Sequence, residues 1–197
     1  MSNKPFSQAC ENNKAPILAV LLRHFQQVRH VLEIGSGTGQ HAVHFSAAMP
    51  HLIWQTSDRE DYLPGINLWI TEYPHTNLRP PRVLDVTQAH WPSGFDAVFS
   101  ANTAHIMSWP NARHMVQQVG QRLPSAGLFA LYGPFNYQGR YTSDSNAQFD
   151  QHLKAMNPEQ GIRDFEAVNE AAETAGLMLL EDNAMPANNR LIIWRKQ

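Results

Sequence analysis

The chain has 197 residues, of which 43% are hydrophobic and 16% charged, and its formal net charge is −2 at pH 7. This composition suits one globular domain with a buried core and excludes a disordered chain, and the weak net charge gives no electrostatic basis for binding nucleic acid or an anionic membrane. There is one cysteine, no apolar core of a secretory signal and no run near ~18 apolar residues, so we expect a cytoplasmic protein without an internal disulfide framework or a membrane span.

Apolar runs that suit buried strands alternate with segments of helical periodicity along the chain. The first helix is predicted at 12–28. Five strands are predicted at 30–34, 52–58, 82–86, 95–102 and 128–135. The helices between them are predicted at 39–49, 60–73 and 111–123. Such alternation is typical of a parallel sheet with helices on both faces.

The C-terminal part of the chain has a different pattern. A polar stretch at 136–146 leads into two predicted helices at 146–156 and 164–176, and two apolar runs follow at 177–185 and 189–196. Only the short turn PANN lies between these runs, which is too short for a crossover helix. They should therefore pair as an antiparallel hairpin at one edge of the sheet. The predicted fold is α/β, a seven-stranded sheet with five parallel strands and a C-terminal antiparallel hairpin, in one domain over 1–197.

The segment VLEIGSGTG ends the first predicted strand with glycines at positions 35, 37 and 39. In an open parallel sheet, ligands bind at the carboxyl ends of the strands beside strand one, where this turn lies. Dinucleotides and S-adenosylmethionine both use such turns. Gly37, Gly39 and Ala42 satisfy the dinucleotide pattern G-x-G-x-x-G/A. The register disfavours it, because the first glycine after the strand is Gly35 and Gln40 then stands in the place of the third.

Glu33 lies inside the first strand, two residues before Gly35. A carboxylate there would repel a pyrophosphate and would suit the ammonium group of a methionine moiety. The pattern E-x-G-x-G-x-G resembles the first motif of class I S-adenosylmethionine-dependent methyltransferases. A glycine turn that only packs the helix against the strand is the plain alternative.

Three further strand ends carry a polar residue that points toward the same predicted crevice. Asp58 ends strand two, 19 residues after Gly39, where an acidic residue takes both ribose hydroxyls, although it could also cap a helix or turn. Asp85 ends strand three and resembles the methyltransferase residue that accepts from the adenine amine, or else it caps the turn at Thr87. Asn102 ends strand four, where the methyltransferase fold often places cofactor contacts.

The chain as a whole resembles a small methyltransferase-like family of unknown function, found in bacteria with animal relatives. The resemblance covers nearly the whole chain, and it implies a Rossmann-like class I methyltransferase fold with S-adenosylmethionine as cofactor and no agreed substrate. Asn12 departs from the arginine expected beside Asn13. The matching segments are ENNKAPIL (11–18), LEIGSGTGQHA (32–42), SANTAHIMSW (100–109), LYGPF (131–135), SNAQFDQHL (145–153), GIRD (161–164) and MPANN (185–189).

The acceptor site is predicted between the strand-four exit, the LYGPF turn and a lid or insert at about 136–164. His105 is the candidate general base or acceptor-binding group, although a lone histidine is more often structural. Arg163 could clamp an acceptor carboxylate or phosphate, or could pair with Asp164 or Asp150 and hold a lid. The candidate acceptor-binding residues are Asn13, Trp109, Tyr132, Phe135, Asn146 and Arg163.

These residues favour an S-adenosylmethionine-dependent methyltransferase that acts on a small polar molecule. One alternative is a module that binds S-adenosylmethionine or S-adenosylhomocysteine without turnover, and a weaker one is an NAD-dependent oxidoreductase, which Glu33 and the glycine register disfavour. The exit SANTAH lacks the D/N-P-P-Y signature, and together with the weak net charge this disfavours a nucleic acid, so we expect a small-molecule acceptor. We also expect no membrane partner and a monomer or homodimer. We expect no metal, because His41 and His44 lack a third ligand within reach.

Overall fold

A computed structural model describes residues 4–197, and the first half of this chain alternates helices with parallel strands. Ser7 caps the first helix by accepting from the backbone N–H of Cys10, so this helix begins four residues before the predicted start at residue 12. Short 3-10 helices lie at Phe25–Gln27 and Glu60–Tyr62. The elements are α1 (Gln8–His24), β1 (His30–Ile34), α2 (Gln40–Ala48), β2 (Ile53–Asp58), α3 (Leu63–Glu72), β3 (Leu78–Val83) and β4 (Ala97–Ala101).

The core of this half surrounds β1, which pairs in parallel with β2 and with β4. Because β1 has partners on both sides, its residues Val31, Leu32 and Ile34 are at most 2% exposed. Three aromatic rings, those of Phe45, Trp54 and Phe99, pack against one another with centroids 5.4 to 5.7 Å apart. These rings anchor α2 to the sheet, and α2 begins directly after the turn that follows β1.

The third strand lies earlier in the chain than predicted. The sequence predicted it at 82–86, after the Pro80-Pro81 pair, but β3 includes both prolines. An edge strand can turn the nitrogen of proline away from its partner, and the pairing with β2 shifts register between Gln55 and Ser57. As a result Asp85 follows the end of β3 by two residues instead of lying within the strand.

The second half of the chain contains the remaining strands and helices. Strand β9 pairs antiparallel with both β5 and β8, and only the 3-10 turn Pro186–Asn188 separates β8 from β9. The elements are α4 (Trp109–Arg122), β5 (Leu128–Gly133), β6 (Phe135–Asn136), α5 (Asp144–Met156), β7 (Arg163–Asp164), α6 (Phe165–Thr174), β8 (Leu177–Met185) and β9 (Asn189–Lys196). The predicted C-terminal hairpin is confirmed.

The sheet has seven strands in the order β3-β2-β1-β4-β5-β9-β8, which confirms the predicted seven-stranded α/β sheet with a C-terminal antiparallel hairpin. The chain divides into two compact units, Met1–Ser100 and Ala101–Gln197, and each is described separately below. The single domain predicted over 1–197 stays a prediction. Among residues 4–197, none of the helices combines the length and the apolar character that crossing a bilayer requires.

A second, two-stranded sheet was not predicted. The predicted strand 128–135 ends at Gly133, and beyond Pro134 the residues of β6 pair in parallel with β7. Proline has no N–H to continue the ladder of β5, so the chain changes partner there. Two-residue strands have no periodicity, which is why the sequence showed no sign of β7.

Close packing of α4 against α6 depends on one glycine. A Cβ added at Gly120 would lie 2.5 Å from the Cβ and 2.7 Å from the carbonyl oxygen of Ala175. We expect Gly120→Ala to lower the free energy of unfolding by about 1–3 kcal/mol, because the overpacked helices must separate. Alanine's higher helix propensity, worth ~1 kcal/mol, offsets only part of this cost.

Urea denaturation followed by circular dichroism measures this change. Gln121→Ala is the control, since Gln121 is exposed on the same helix. A Gly120→Ala variant as stable as the wild type would show that α4 and α6 do not approach as closely as described.

Candidate functional site

The glycine turn between β1 and α2 is tied to the end of β2 by backbone hydrogen bonds. The amides of Gly35 and Ser36 both donate to the carbonyl oxygen of Ser57, at 3.0 and 2.9 Å, and the Gly39 amide donates to the Ser36 carbonyl at 2.8 Å. Gly35, Gly37 and Gly39 have φ values of 72°, 57° and 92°. The left-handed backbone explains why glycine stands at each position.

Two of these glycines face different surroundings. A Cβ added at Gly39 would lie 3.3 Å from the Cα of Ile66 and 3.3 Å from the Cβ of Trp69, so this glycine lets α3 pack against the turn. A Cβ added at Gly37 would have nothing within 4 Å. The backbone of Gly37 therefore borders open space, where a ligand can approach closely.

Asp58 lies at the end of β2 and holds the turn from the other side. Its Oδ2 accepts from the Gly37 amide at 2.7 Å, and its Oδ1 accepts from the Arg59 amide at 2.8 Å. Burial raises the pKa of Asp58, while these two amide bonds act in the opposite direction. Each carboxylate oxygen can accept a second donor, so the predicted contact with ribose hydroxyls is chemically compatible with this arrangement.

Glu33 lies beneath the turn and is 1% exposed. Its Oε2 accepts from the hydroxyl of Ser36 at 2.8 Å and from the indole N–H of Trp54 at 3.0 Å. Burial raises the pKa of Glu33 from 4.5 to about 7, although the bonds from Trp54 and Ser36 lower it. The observed contacts support the turn, and the predicted contact with a methionine ammonium group stays a prediction.

Asp85 caps the loop that follows β3. Its Oδ1 accepts from the amide of Thr87 at 2.9 Å and from the hydroxyl of the same residue at 2.7 Å, and these bonds lower its pKa. This is the turn-capping alternative for Asp85. Its contact with an adenine amine stays a prediction.

The start of α2 is covered by residues that the sequence did not connect with it. The side chain of Gln40 accepts from the Ser7 amide at 2.6 Å and donates to the Oε1 of Glu11 at 2.7 Å. Asn13, a predicted acceptor-binding residue, is 6% exposed and its Oδ1 lies 2.6 Å from the Nε2 of His41. The described contacts of Asn13 therefore pack α1 against α2.

In the second unit, Asn102 begins the loop after β4 in a strained conformation. Its φ is 57°, and its amide donates to the carbonyl oxygen of Tyr132 at 2.9 Å. Left-handed backbone at a residue other than glycine is uncommon and often occurs at functional positions. The predicted cofactor contact of Asn102 stays a prediction.

His105 lies on the same loop and is 5% exposed. Its ring packs edge-on against Phe149 with centroids 5.4 Å apart, and its Nδ1 would lie 3.5 Å from a Cβ added at Gly133. Burial, with a smaller effect from the charge of Arg163, lowers the pKa of His105 to about 4. An imidazole with this pKa is a weak proton acceptor at neutral pH. These surroundings favour the structural alternative, and the role as general base stays a prediction.

Arg163 joins two loops of the second unit. Its Nε donates to the Ala104 carbonyl at 3.0 Å, and its Nη2 donates to the carbonyls of Met107 and Glu159. Burial lowers the pKa of Arg163. These contacts match the lid-holding interpretation better than a bidentate clamp on an acceptor, although the partners are backbone carbonyls and not the aspartates considered from the sequence.

Asp150 is buried and accepts three hydrogen bonds, whereas the sequence named it only as a possible partner of Arg163. Its Oδ2 accepts from Tyr141 Oη and Lys154 Nζ, both at 2.6 Å, and its Oδ1 accepts from the Ile162 amide at 2.7 Å. Burial opposes ionisation, but these bonds outweigh it and lower the pKa of Asp150. The helical period placed Asp150 on the same face of α5 as Leu153, and that was the available signal.

The other predicted acceptor-binding residues lie in the second unit. The amide of the Asn146 side chain donates to the hydroxyl of Thr142 at 2.9 Å and to the carbonyl of Asn188 at 3.1 Å, so it ties α5 to the hairpin turn. Tyr132 and Phe135 are buried at 3% and 1% exposure, and Trp109 is half-buried at the start of α4. Their acceptor roles stay predictions. Within residues 4–197, no three His, Cys, Asp or Glu side chains group as metal ligands.

The raised pKa of Glu33 predicts a pH dependence of stability. Between pH 4.5 and about 7 the folded chain keeps a proton on Glu33 that the unfolded chain releases, so the free energy of unfolding falls as the pH rises. Glu33→Gln cannot ionise and should lose this slope. Relative to this variant, the wild type should lose up to about 3 kcal/mol between pH 4 and 8.

Urea denaturation of the ligand-free protein at a series of pH values gives the difference between wild type and variant. Glu60→Gln serves as the control, because Glu60 is exposed. Identical pH profiles for wild type and Glu33→Gln would contradict the raised pKa.

Solved structures with a similar fold include S-adenosylmethionine-dependent and O-methyltransferase proteins. An O-methyltransferase family 2 protein from Planctomyces limnophilus in complex with apigenin matches with a TM-score of 0.86 at 16% identity, over 96% of this chain and 58% of its own. Human N-acetylserotonin methyltransferase in complex with SAM matches with a TM-score of 0.83 at 13% identity, over 96% of this chain and 53% of its own. An O-methyltransferase family protein from Burkholderia thailandensis matches with a TM-score of 0.83 at 16% identity, over 93% of this chain and 56% of its own.

This chain spans a little over half the length of those structures, and at these identities the likeness shows the fold alone. The family model described as "Protein of unknown function (DUF938)" matches residues 4–196. With nearly the whole described chain matched, this protein belongs to the DUF938 family.

Proposed function

We propose that this protein binds S-adenosylmethionine at the glycine turn and transfers its methyl group to a small polar acceptor. One observation carries the proposal. The Gly37 backbone borders open space while its amide is held by the Asp58 carboxylate, so the turn and an acidic group meet at one place. The ribose of S-adenosylmethionine would bind the Asp58 carboxylate, and its methionine part would lie in the open space beside Gly37.

The charges around the turn favour S-adenosylmethionine over a dinucleotide. A dinucleotide places its pyrophosphate at the start of the helix that follows the turn. Here the Asp58 carboxylate accepts from the Gly37 amide and the Glu33 carboxyl group lies under the turn. Glu11, which the Gln40 side chain holds, is by contrast already paired with Lys14. The carboxyl groups of Asp58 and Glu33 disfavour an anion beside the turn and favour the sulfonium and ammonium groups of S-adenosylmethionine.

The fold comparison supports the same class of reaction. Structures with TM-scores of 0.83 to 0.86 include two O-methyltransferase family proteins and human N-acetylserotonin methyltransferase. When bound, S-adenosylmethionine supplies an activated methyl group on a sulfonium with a good leaving group. The protein then has to bind the acceptor, align its nucleophile with the methyl group and exclude water.

A second candidate function is cofactor binding without turnover. The burial of His105, with a pKa of about 4, favours this alternative, because the predicted base is poorly suited to accept a proton at neutral pH. An acceptor that needs no deprotonation would remove the objection. Transfer of labelled methyl groups from S-adenosylmethionine into a metabolite extract distinguishes the two, since a binding module would label nothing.

Isothermal titration calorimetry tests the cofactor directly. We expect S-adenosylhomocysteine to bind and NAD not to bind. Asp58→Ala should weaken S-adenosylhomocysteine by at least about tenfold, since charge-assisted hydrogen bonds contribute ~1.5–3 kcal/mol each.

Asp61→Ala is the matched control, because Asp61 is an exposed aspartate in the 3-10 helix that follows β2. Circular dichroism verifies that both variants fold. Affinity of Asp58→Ala within twofold of the wild type would refute the ribose contact, and preferential binding of NAD would refute the proposed function.

Gly37→Ala tests whether the ligand occupies the space beside the turn. A methyl group there should weaken S-adenosylhomocysteine by about tenfold or more, while the left-handed φ of 57° should cost about 1–2 kcal/mol of stability. Gly94→Ala controls for backbone strain, because Gly94 has a φ of 83° and also has nothing within 4 Å of an added Cβ. Both variants should lose similar stability, and only Gly37→Ala should lose affinity. Equal affinity in the two variants would place the ligand elsewhere.

A further inference from the structure

The two-stranded sheet of β6 and β7 brings two polar side chains together. Asn136 and Asp164 are direct partners in this parallel pairing. Partner residues of parallel strands project to the same face, about 5 Å apart at the backbone. An amide and a carboxylate therefore stand side by side, immediately after the chain leaves β5.

Both side chains have a buried oxygen atom that lacks a hydrogen-bond donor. Within residues 4–197, Asn136 Oδ1 and Asp164 Oδ1 are enclosed and accept no hydrogen bond. Buried acceptors in proteins nearly always have a partner, and leaving one without a donor is costly. Two such atoms on facing residues indicate a site whose donors come from a ligand.

Asp164 also occupies a position in which the side chain normally accepts a backbone hydrogen bond from its own helix. It is the N-cap residue of α6, yet its side chain makes no capping hydrogen bond. The N-cap residues Ser7, Ser108 and Ser143 of three other helices in this chain all accept a backbone N–H of their own helix. The carboxylate of Asp164 therefore lacks the capping hydrogen bond that is usual at an N-cap position.

The charge of Asp164 is uncompensated by its neighbours. The adjacent Arg163 donates to carbonyls, and Lys154 is paired with Asp150. Among the described residues, Asp164 forms no ion pair. A carboxylate oxygen withdrawn from water without a cation nearby favours a positively charged donor.

We propose that Asn136 and Asp164 form a recognition site for a protonated amine carried by the acceptor molecule. The proposal rests on the proposed methyltransferase function and narrows its substrate class to amine-bearing molecules. The ammonium group donates to Asn136 Oδ1 and Asp164 Oδ1, and the methyl-accepting atom lies elsewhere on the same molecule. A positively charged amine satisfies two buried acceptors and one negative charge at once, which a neutral hydroxyl does not.

Matched pairs of small probes test the preference for an amine. Butylamine and butanol, phenethylamine and 2-phenylethanol, and tyramine and tyrosol each exchange an ammonium group for a hydroxyl. Ligand-observed NMR with protein that contains S-adenosylhomocysteine should show at least one amine binding about tenfold more tightly than its alcohol. No amine binding, or equal binding of amine and alcohol in every pair, would overturn the proposal.

Asp164→Asn keeps the shape and removes the charge, so it should weaken the bound amine by about tenfold or more. Glu170→Gln is the matched control, because Glu170 is exposed on α6 and undergoes the same change of charge. Both variants should bind S-adenosylhomocysteine within twofold of the wild type in calorimetry. If the wild-type protein does not bind S-adenosylhomocysteine, the proposed function is refuted but the amine site is not. If Asp164→Asn binds the amine as tightly as the wild type, the amine site is refuted but the proposed function is not.

Asp164→Ser gives an independent readout on the ligand-free protein. Serine can cap α6 as the three serines above cap their helices, so the melting temperature should rise by about 2–4 °C while amine binding is lost. An unchanged or lower melting temperature would show that the carboxylate is already satisfied in the free protein, and it would overturn the site.

Discussion

The attachment of the glycine turn to the end of β2 is the constraint on which the candidate cofactor site depends. The Ser57 carbonyl accepts from two consecutive amides of the turn, and the Asp58 carboxylate accepts from a third, that of Gly37. These bonds require left-handed backbone at Gly37, which only glycine adopts without strain. A strand end, a turn and an acidic group are thereby held in one arrangement before any ligand binds, so little ordering remains for binding to achieve.

Acidic groups determine which ligand that arrangement suits. Glu33 supports the turn from beneath, where burial keeps its pKa near neutrality, and Glu11 reaches the start of α2 through Gln40. A helix start is normally a favourable place for an anion. In this protein Glu11 is paired with Lys14, and the Asp58 and Glu33 carboxyl groups beside the turn disfavour an anion, which supports the proposed cationic nucleoside derivative over a pyrophosphate.

Three polar side chains of the second unit hold the protein's own loops. Arg163 binds backbone carbonyls, Asn146 ties α5 to the hairpin turn, and Asp150 collects three donors. Their hydrogen bonds are largely used within the fold, which leaves them few donors or acceptors for a substrate. Asn136 and Asp164 each keep a buried oxygen without a donor, as Gln160 does, but only these two are direct partners in a strand pairing.

Local sequence was sufficient for most of the fold. Apolar periodicity located the helices and strands within a few residues, and the short turn before Asn189 required an antiparallel hairpin because no crossover fits in it. The predicted strand boundaries were wrong where the neighbouring strand in the sheet determines whether a residue pairs. Pro80 and Pro81 lie inside β3 because an edge strand tolerates proline, and Pro134 separates β6 from β5 because β7 offers a new partner.

In the candidate site, too, some features follow from local sequence and others only from the tertiary structure. The sequence by itself determined the glycine turn and its acidic neighbours, because left-handed turns and strand ends require particular residue types over a few consecutive positions. Only the tertiary structure decided what the polar side chains bind. Arg163 donates to a carbonyl 59 residues away, and Asp164 faces Asn136 instead of capping its own helix. Contacts between residues so distant along the chain leave no local pattern, since any of several polar residues could have made them.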